Sequence, residues 1–267
     1  LPDLLKGIDV VYHLAAAQHE VNVPDKRFRD VNVQGTANLL EGSVTAGVKR
    51  FVHGSTIGVY GPGMGEQIDE NSPLRPDNIY GKTKLEGENV VLSFKNSLPV
   101  VIVRIPETYG PGDRRLLKLF KAIRKGVFIM IGDGKNLHHL IYIDDLIDAL
   151  SLAAEHPDAI GNLFVVAGEE PLTTNEMVAV IAARMGTRIP GFRVPLTALL
   201  LLATVMEKTC QPFGIKPPIY RRRMDFFRKN FSFSQEKAKR ILGFQPKVRF
   251  PEGISLTADW YNSSDLL

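Results

Sequence analysis

Apolar residues alternate along this chain between two spacings. The run Val10-Val11-Tyr12-His13-Leu14-Ala15 is short, continuous and closed by small residues, which suits a strand buried on both faces. Residues 29–46 then place Val31, Ala37, Leu39, Leu40 and Val44 at helical intervals, with Gly47 as a C-cap. Residues 50–54 predict a second strand, 78–95 a helix striped by Leu85, Val90, Val91 and Phe94, and 100–103 a third strand. Further on, the pattern predicts helices over 115–125 and 144–154 and strands over 140–143 and 163–166. Thr173-Thr174-Asn175-Glu176 has capping-box spacing ahead of another helix, and 235–242 is a helix stopped by Gly243. Strands alternating with helices in this way define an α/β chain with a doubly wound parallel sheet and right-handed crossovers. The rhythm loosens after Gly112, so the expected division is a nucleotide-type domain over 1–170 and a smaller substrate lobe over 171–267.

Composition narrows the class. A length of 267 residues with 44% hydrophobic and 23% charged content is that of a soluble globular protein with a sizeable core. The net charge of +4 is mild, and the one tight basic run, Arg221 to Arg223, has no interleaved aromatics, so no nucleic-acid partner is expected. One cysteine, Cys210, excludes a disulfide framework or a thiolate metal cluster and points to a reducing, cytoplasmic setting. No histidine spacing suggests a metal. Residues 196–206 form the longest apolar run, too short for a span of about 20 residues, and read as a buried helix with no membrane contact.

The chemistry concentrates in Tyr80-Gly81-Lys82-Thr83-Lys84. Tyr80 and Lys84 share a helix face, and an ammonium one turn away favours a phenolate, which makes Tyr80 a base or acid toward a substrate hydroxyl. Upstream, Gly54-Ser55-Thr56 ends a predicted strand, where open α/β sheets bind ligands. Ser55 and Thr56 face opposite ways, so one of the two hydroxyls serves.

With these motifs in order, the chain resembles the extended short-chain dehydrogenase/reductases, the NAD-dependent epimerase/dehydratase family. Residues 9–16 look like that family's fourth strand, and Asn32-Val33-Gln34-Gly35-Thr36 like the helix after it. Ser55-Thr56-Ile57-Gly58-Val59-Tyr60-Gly61 matches the serine/threonine motif, with Thr56 at the catalytic hydroxyl. Tyr80 and Lys84 match the acid/base pair. Arg104 with Tyr109-Gly110-Pro111-Gly112-Asp113 matches the segment beside the nicotinamide. Gly132-Asp133-Gly134, Tyr142 to Leu146, Lys237-Ala238 and Leu242-Gly243-Phe244 match later blocks. The resemblance implies a Rossmann-type fold using NAD or NADP, with Leu14, Ala15, Ala16, Asn32, Tyr80, Lys84, Ile105 and Thr108 around the cofactor. It also implies a homodimer through helices 29–46 and 78–95. The family's first strands and glycine-rich pyrophosphate turn, roughly 60 residues at about 30 per βαβ unit, are not in this sequence, so the fragment alone is expected to be unstable. Gly61-Pro62-Gly63-Met64-Gly65 has the wrong spacing to replace that turn.

The implied substrate is a small molecule with a secondary alcohol, a nucleotide sugar or related sugar first. In the family's nucleotide-sugar members an Asn and an Arg contact the diphosphate, and by alignment Glu107 and His138 stand at those places. A carboxylate there repels a diphosphate; Arg222 or Arg223 could supply a positive charge instead. The alternative is a sterol- or dihydroflavonol-type hydroxyl, with residues 196–206 lining an apolar pocket. A third reading, of another class, is a catalytically inactive truncated binding module.

Overall fold

The computed structural model describes residues 2–18, 23–62, 67–210 and 224–267. Four strands, β1 (Val10–His13), β2 (Arg50–Thr56), β3 (Val100–Ile105) and β4 (Leu163–Val165), form one sheet in that spatial order. Every pairing is parallel: Val11 lies opposite Phe51, Val52 opposite Val101, and Val103 opposite Phe164. The helices that cross between or cover these strands are α1 (Thr36–Ala46), α2 (Ile79–Ser93), α3 (Ile143–Glu155) and α4 (Glu236–Leu242).

Both faces of the sheet are buried, as expected of a parallel sheet carrying crossover helices. Phe51, Val100 and Ile102 point to one side, where Leu40 of α1 and Val91 of α2 meet them. Val52, Val101 and Val103 point to the other and pack with Leu146 and Leu150 of α3 and Leu242 of α4. The period of two in β2 and β3 therefore separates two cores. Gly47 and Gly243, at φ 70° and 67°, close α1 and α4 in the left-handed conformation that their sequence positions predicted.

The chain divides into two compact units, each built from three segments. One comprises Leu1–Thr108, Leu140–Glu169 and Phe233–Val248; the other comprises Tyr109–His139, Glu170–Ser232 and Arg249–Leu267. A contiguous boundary near residue 170 is thus replaced by an interleaved one. The reason lies in the first unit: α4, late in the sequence, packs against β4 and α3. The second unit is mainly helical, with Phe120 of helix Leu117–Arg124 set edge-on to Tyr261 of helix Phe250–Ser263 at 5.1 Å. In it Thr173 and Glu176 form the anticipated capping box at the head of helix Thr174–Arg184.

Two expectations change. Residues 196–206 fall in helix Leu196–Cys210, but this helix is not buried: only Ala203 is, while Leu201 and Val205 are 70% and 58% exposed. Its apolar residues run nearly all round the helix, so one packed side cannot cover them. No helix among the described residues is long and apolar enough to cross a membrane. The single helix expected over 29–46 is instead a short α-turn (Asp25–Arg29), a π-helical stretch (Asp30–Gly35) and α1. The wider π turn brings Asn32 inward: its carbonyl lies where a Cβ on Gly87 of α2 would come within 2.7 Å of it.

Close approach at glycine also sets α2 against the loop after β2. A Cβ on Gly81 would lie 2.6 Å from the Gly58 carbonyl oxygen. Alanine is favoured over glycine in a helix by about 1 kcal/mol, but overpacking against backbone costs about 1–3 kcal/mol. Gly81→Ala is therefore expected to destabilise, read as a lower urea midpoint at unchanged slope. A raised midpoint would show that α2 moves away from the loop at no cost.

Candidate active site

The site forms at the C-terminal ends of β1, β2 and β3 in the first unit. Its centre is Gly54. A Cβ there would stand 2.5 Å from Leu14 Cδ2 and 3.1 Å from Ile105 Cδ1, so side chains from the two flanking strands meet over a residue that has none. Leu14 is half exposed. These residues make an apolar floor, and the small Ala15 and Ala16 continue it along the loop after β1. The same Gly54 offers its carbonyl to Lys84 Nζ at 2.7 Å.

Lys84 reaches this point from α2. Asn78 caps that helix, its side chain accepting from the Gly81 amide at 3.0 Å, and Tyr80 and Lys84 follow in the first turns on one face. Tyr80 is half-buried, while Lys84 is 1% exposed. Burial pulls the Lys84 ammonium down to about 8, partly offset by Glu88 one turn further on. Besides Gly54, Nζ has one polar neighbour, His53 Nε2 at 3.2 Å. One N–H thus has no acceptor among the described residues.

The two adjacent hydroxyls are told apart by their partners. Ser55 is buried and donates to Glu88 Oε1 at 2.5 Å, so its hydrogen is committed. Thr56 is half-buried and only accepts, from the Gly58 amide at 3.1 Å, where it caps the 3-10 turn Ile57–Tyr60. Its hydroxyl hydrogen has no acceptor among the described residues and can be given to a substrate oxygen. Tyr60 does not compete as a base. Its hydroxyl donates to the Asp69 carbonyl and accepts from Arg104, and burial pushes its phenol up to about 12.

Beneath the hydroxyls lies a buried ion pair. Arg104 of β3 grips Glu88 of α2 with two parallel bonds, Nε to Oε1 at 3.0 Å and Nη2 to Oε2 at 2.8 Å. Both side chains are at most 3% exposed. Asn32 is equally enclosed. It accepts from the Ala17 amide at 2.8 Å and donates to the Ala17 carbonyl and to Thr83 Oγ1. Its amide is thus spent on protein, and it holds the loop of small residues against α2. Asn32 therefore acts on the cofactor-side loop through Ala17, the structural role its motif implied.

Of the remaining candidates, Thr108 is half-buried, and Glu107 is exposed with its carbonyl accepting from the Ile141 amide at 3.0 Å. His138 belongs to the other unit and is 3% exposed. Its Nε2 lies 3.0 Å from Thr174 Oγ1 and its ring 4.5 Å from Phe226. Asn136 Nδ2 lies 3.3 Å from the same nitrogen, so His138 is held by protein on several sides. Arg222, like its neighbours Arg221 and Arg223, lies outside the described residues. Glu88 and His53 were not singled out from sequence, and Gly54 only as the start of the motif that holds Ser55 and Thr56. Their signal was available, since a histidine in an apolar strand needs a partner.

A parallel sheet with a Tyr/Lys pair, a free hydroxyl and an apolar floor at its strand ends is the arrangement of a nicotinamide-dependent α/β enzyme. Over residues 1–167 the chain matches the family model described as NAD dependent epimerase/dehydratase family, and it belongs to that family. It is 30% identical to UDP-glucose 4-epimerase of Vibrio cholerae, over 95% of this chain and 77% of that protein. It is 29% identical to 3beta-hydroxysteroid-dehydrogenase/decarboxylase isoform 1 of Arabidopsis thaliana, over 96% of this chain; the chain spans 63% of that relative's length. Among solved structures, UDP-glucuronic acid 4-epimerase from Bacillus cereus in complex with NAD superposes with a TM-score of 0.78. The two are 25% identical, and the match covers 98% of this chain and 77% of that one. The floor over Gly54 suits a flat nicotinamide ring, and the spare N–H of Lys84 suits a sugar hydroxyl, so the residues present fit such a cofactor.

Two outcomes follow. Glu88→Gln leaves the Arg104 guanidinium buried without its counter-charge, and a loss of about 3–5 kcal/mol in unfolding free energy is expected; a loss under about 1 kcal/mol would mean that the pair is solvated. Lys84 also links stability to pH. Its folded value near 8 lies below the usual 10.5, so between those limits the unfolded chain binds more protons and stability rises with pH. Relative to Lys84→Met, the wild type should gain up to about 3 kcal/mol from pH 8 to 10.5, at about 1.4 kcal/mol per unit. A flat difference across that range would show an unshifted lysine.

Proposed function

We propose that this chain carries the acid/base centre of an NAD(P)-dependent enzyme acting on a secondary alcohol, with a nucleotide sugar or related sugar as its substrate. The observation that carries the reading is the division of labour at the strand ends. Ser55 is committed to Glu88, Thr56 keeps its hydrogen, and Lys84 is held one helical turn from Tyr80.

Tyr80 as phenolate takes the hydroxyl proton of the alcohol. Thr56 donates to the same oxygen and orients it. The Lys84 ammonium, charged below about pH 8, favours the phenolate over the phenol. A nicotinamide dinucleotide, when bound, supplies the hydride acceptor. Leu14 and Ile105 exclude water from the floor over Gly54. In an epimerase Tyr80 would return the proton after the carbon has been reduced from its other face; in a dehydrogenase the ketone leaves.

A second reading of the substrate has its own support. His138 is buried and Glu107 is an exposed carboxylate, so neither supplies the positive charge that a diphosphate needs. Helix Leu196–Cys210 displays Leu201, Leu202 and Val205. Together with the Arabidopsis thaliana relative, these features support a sterol-type hydroxyl as the alternative substrate.

Tyr80→Phe is expected to lower kcat by about 10²–10⁴-fold while dinucleotide affinity stays within a few-fold. Comparable turnover in the variant would remove Tyr80 from the chemistry. Dinucleotide binding without turnover on alcohols, ketones and nucleotide sugars would favour a binding module instead.

A further inference from the structure

We propose that His53 is a positioning residue for Lys84: its neutral imidazole, together with the Gly54 carbonyl, clamps the lysine ammonium at the end of β2. The proposal rests on the reading of Tyr80 and Lys84 given above and adds to it a residue of β2, outside the Tyr80–Lys84 pair.

The argument starts from a misfit. β2 reads Phe51-Val52-His53-Gly54, and His53 is fully buried on the side of the sheet where Phe51 meets α1 and α2. An imidazole there loses its hydration and has to recover it from a partner. Its Nδ1 finds none among the described residues. Its Nε2 finds one, Lys84 Nζ at 3.2 Å. Two consecutive residues of one strand, a side chain and a carbonyl, thus hold two of the three ammonium hydrogens.

The groups facing Lys84 decide which way the hydrogen bond runs. From β1 comes His13, whose ring lies 5.3 Å from that of His53. Its Nε2 contacts Thr36 Oγ1 at 2.9 Å, and the one Thr36 hydrogen goes to the Asn32 carbonyl, so His13 is the donor in that contact. From α2 itself come Tyr80 and Glu88, the latter balanced by Arg104 of β3. Burial first, and the Lys84 charge second, bring His13 down to about 4 and push His53 well below its usual range. Both imidazoles are therefore neutral over the working pH range, and as long as Lys84 is charged His53 Nε2 is the lone-pair acceptor of the contact. A hydrocarbon in its place would leave the ammonium held by one carbonyl.

The test is a titration of Lys84 by the 13Cε shift, assigned with Lys84→Met, in the protein without cofactor. His53→Phe removes an acceptor of the charged form, so the Lys84 midpoint should fall by about one unit. His53→Gln restores an acceptor and should bring it back to within a few tenths of wild type. An unchanged midpoint in His53→Phe overturns the proposal. Should that variant not fold, the wild-type 15N spectrum decides: an unprotonated Nε2 on His53 at pH 6 to 7, where Lys84 is charged, supports it, and a protonated Nε2 there overturns it. On turnover, the alkaline limb of the pH profile should move down with the Lys84 midpoint. A midpoint that shifts in a protein without turnover on any alcohol would leave the clamp standing and remove the enzymatic reading instead.

Discussion

The Glu88–Arg104 pair is the constraint on which the site depends. A carboxylate and a guanidinium taken out of water are costly unless each finds a geometrically matched partner, and here the match ties α2 to β3 in one register. Ser55 adds β2 to the same carboxylate. Tyr80 and Lys84 lie two turns and one turn up the helix from Glu88, so their place relative to the strand ends follows from a contact that neither of them makes. Glycine then sets the distance: at Gly81 and Gly87 the backbones of the loop and of the π turn come as near to α2 as atoms allow.

The loop after β1 is fixed by comparable means. Asn32 gives its whole amide to Ala17 and Thr83, so a segment of small residues that could otherwise wander is tied to α2 from beneath. The π turn makes this possible by bringing Asn32 inward where a regular helix would carry it past. The cofactor floor, the base and the hydroxyl donor are thus all referred to one helix.

Much of this was legible in the sequence. The parallel sheet followed from alternating periods, and the capping box at Thr173, the left-handed caps at Gly47 and Gly243 and the Tyr80–Lys84 face followed from local chemistry. What the sequence concealed were features that arise only when distant segments meet. The π turn over Asp30–Gly35 has ordinary helical composition and is selected by Gly87, more than 50 residues away. His138 sits on a strand that could as well face a ligand, and Asn136, Thr174 and Phe226 are among the residues that enclose it. The run at 196–206 reads as buried because apolar residues usually are, yet the folded helix covers Ala203 and leaves Leu201 outside. The choice between Ser55 and Thr56 needed the position of Glu88.

The interleaving of the two units has a consequence for how this protein could change. The chain passes from one unit to the other after residues 108, 139, 169, 232 and 248. No single cut separates them, so recombination at one crossover point cannot exchange the second unit as a cassette. Change in the second unit would have to arise through insertions and substitutions within its three segments. The two units are therefore inherited together in such a chain.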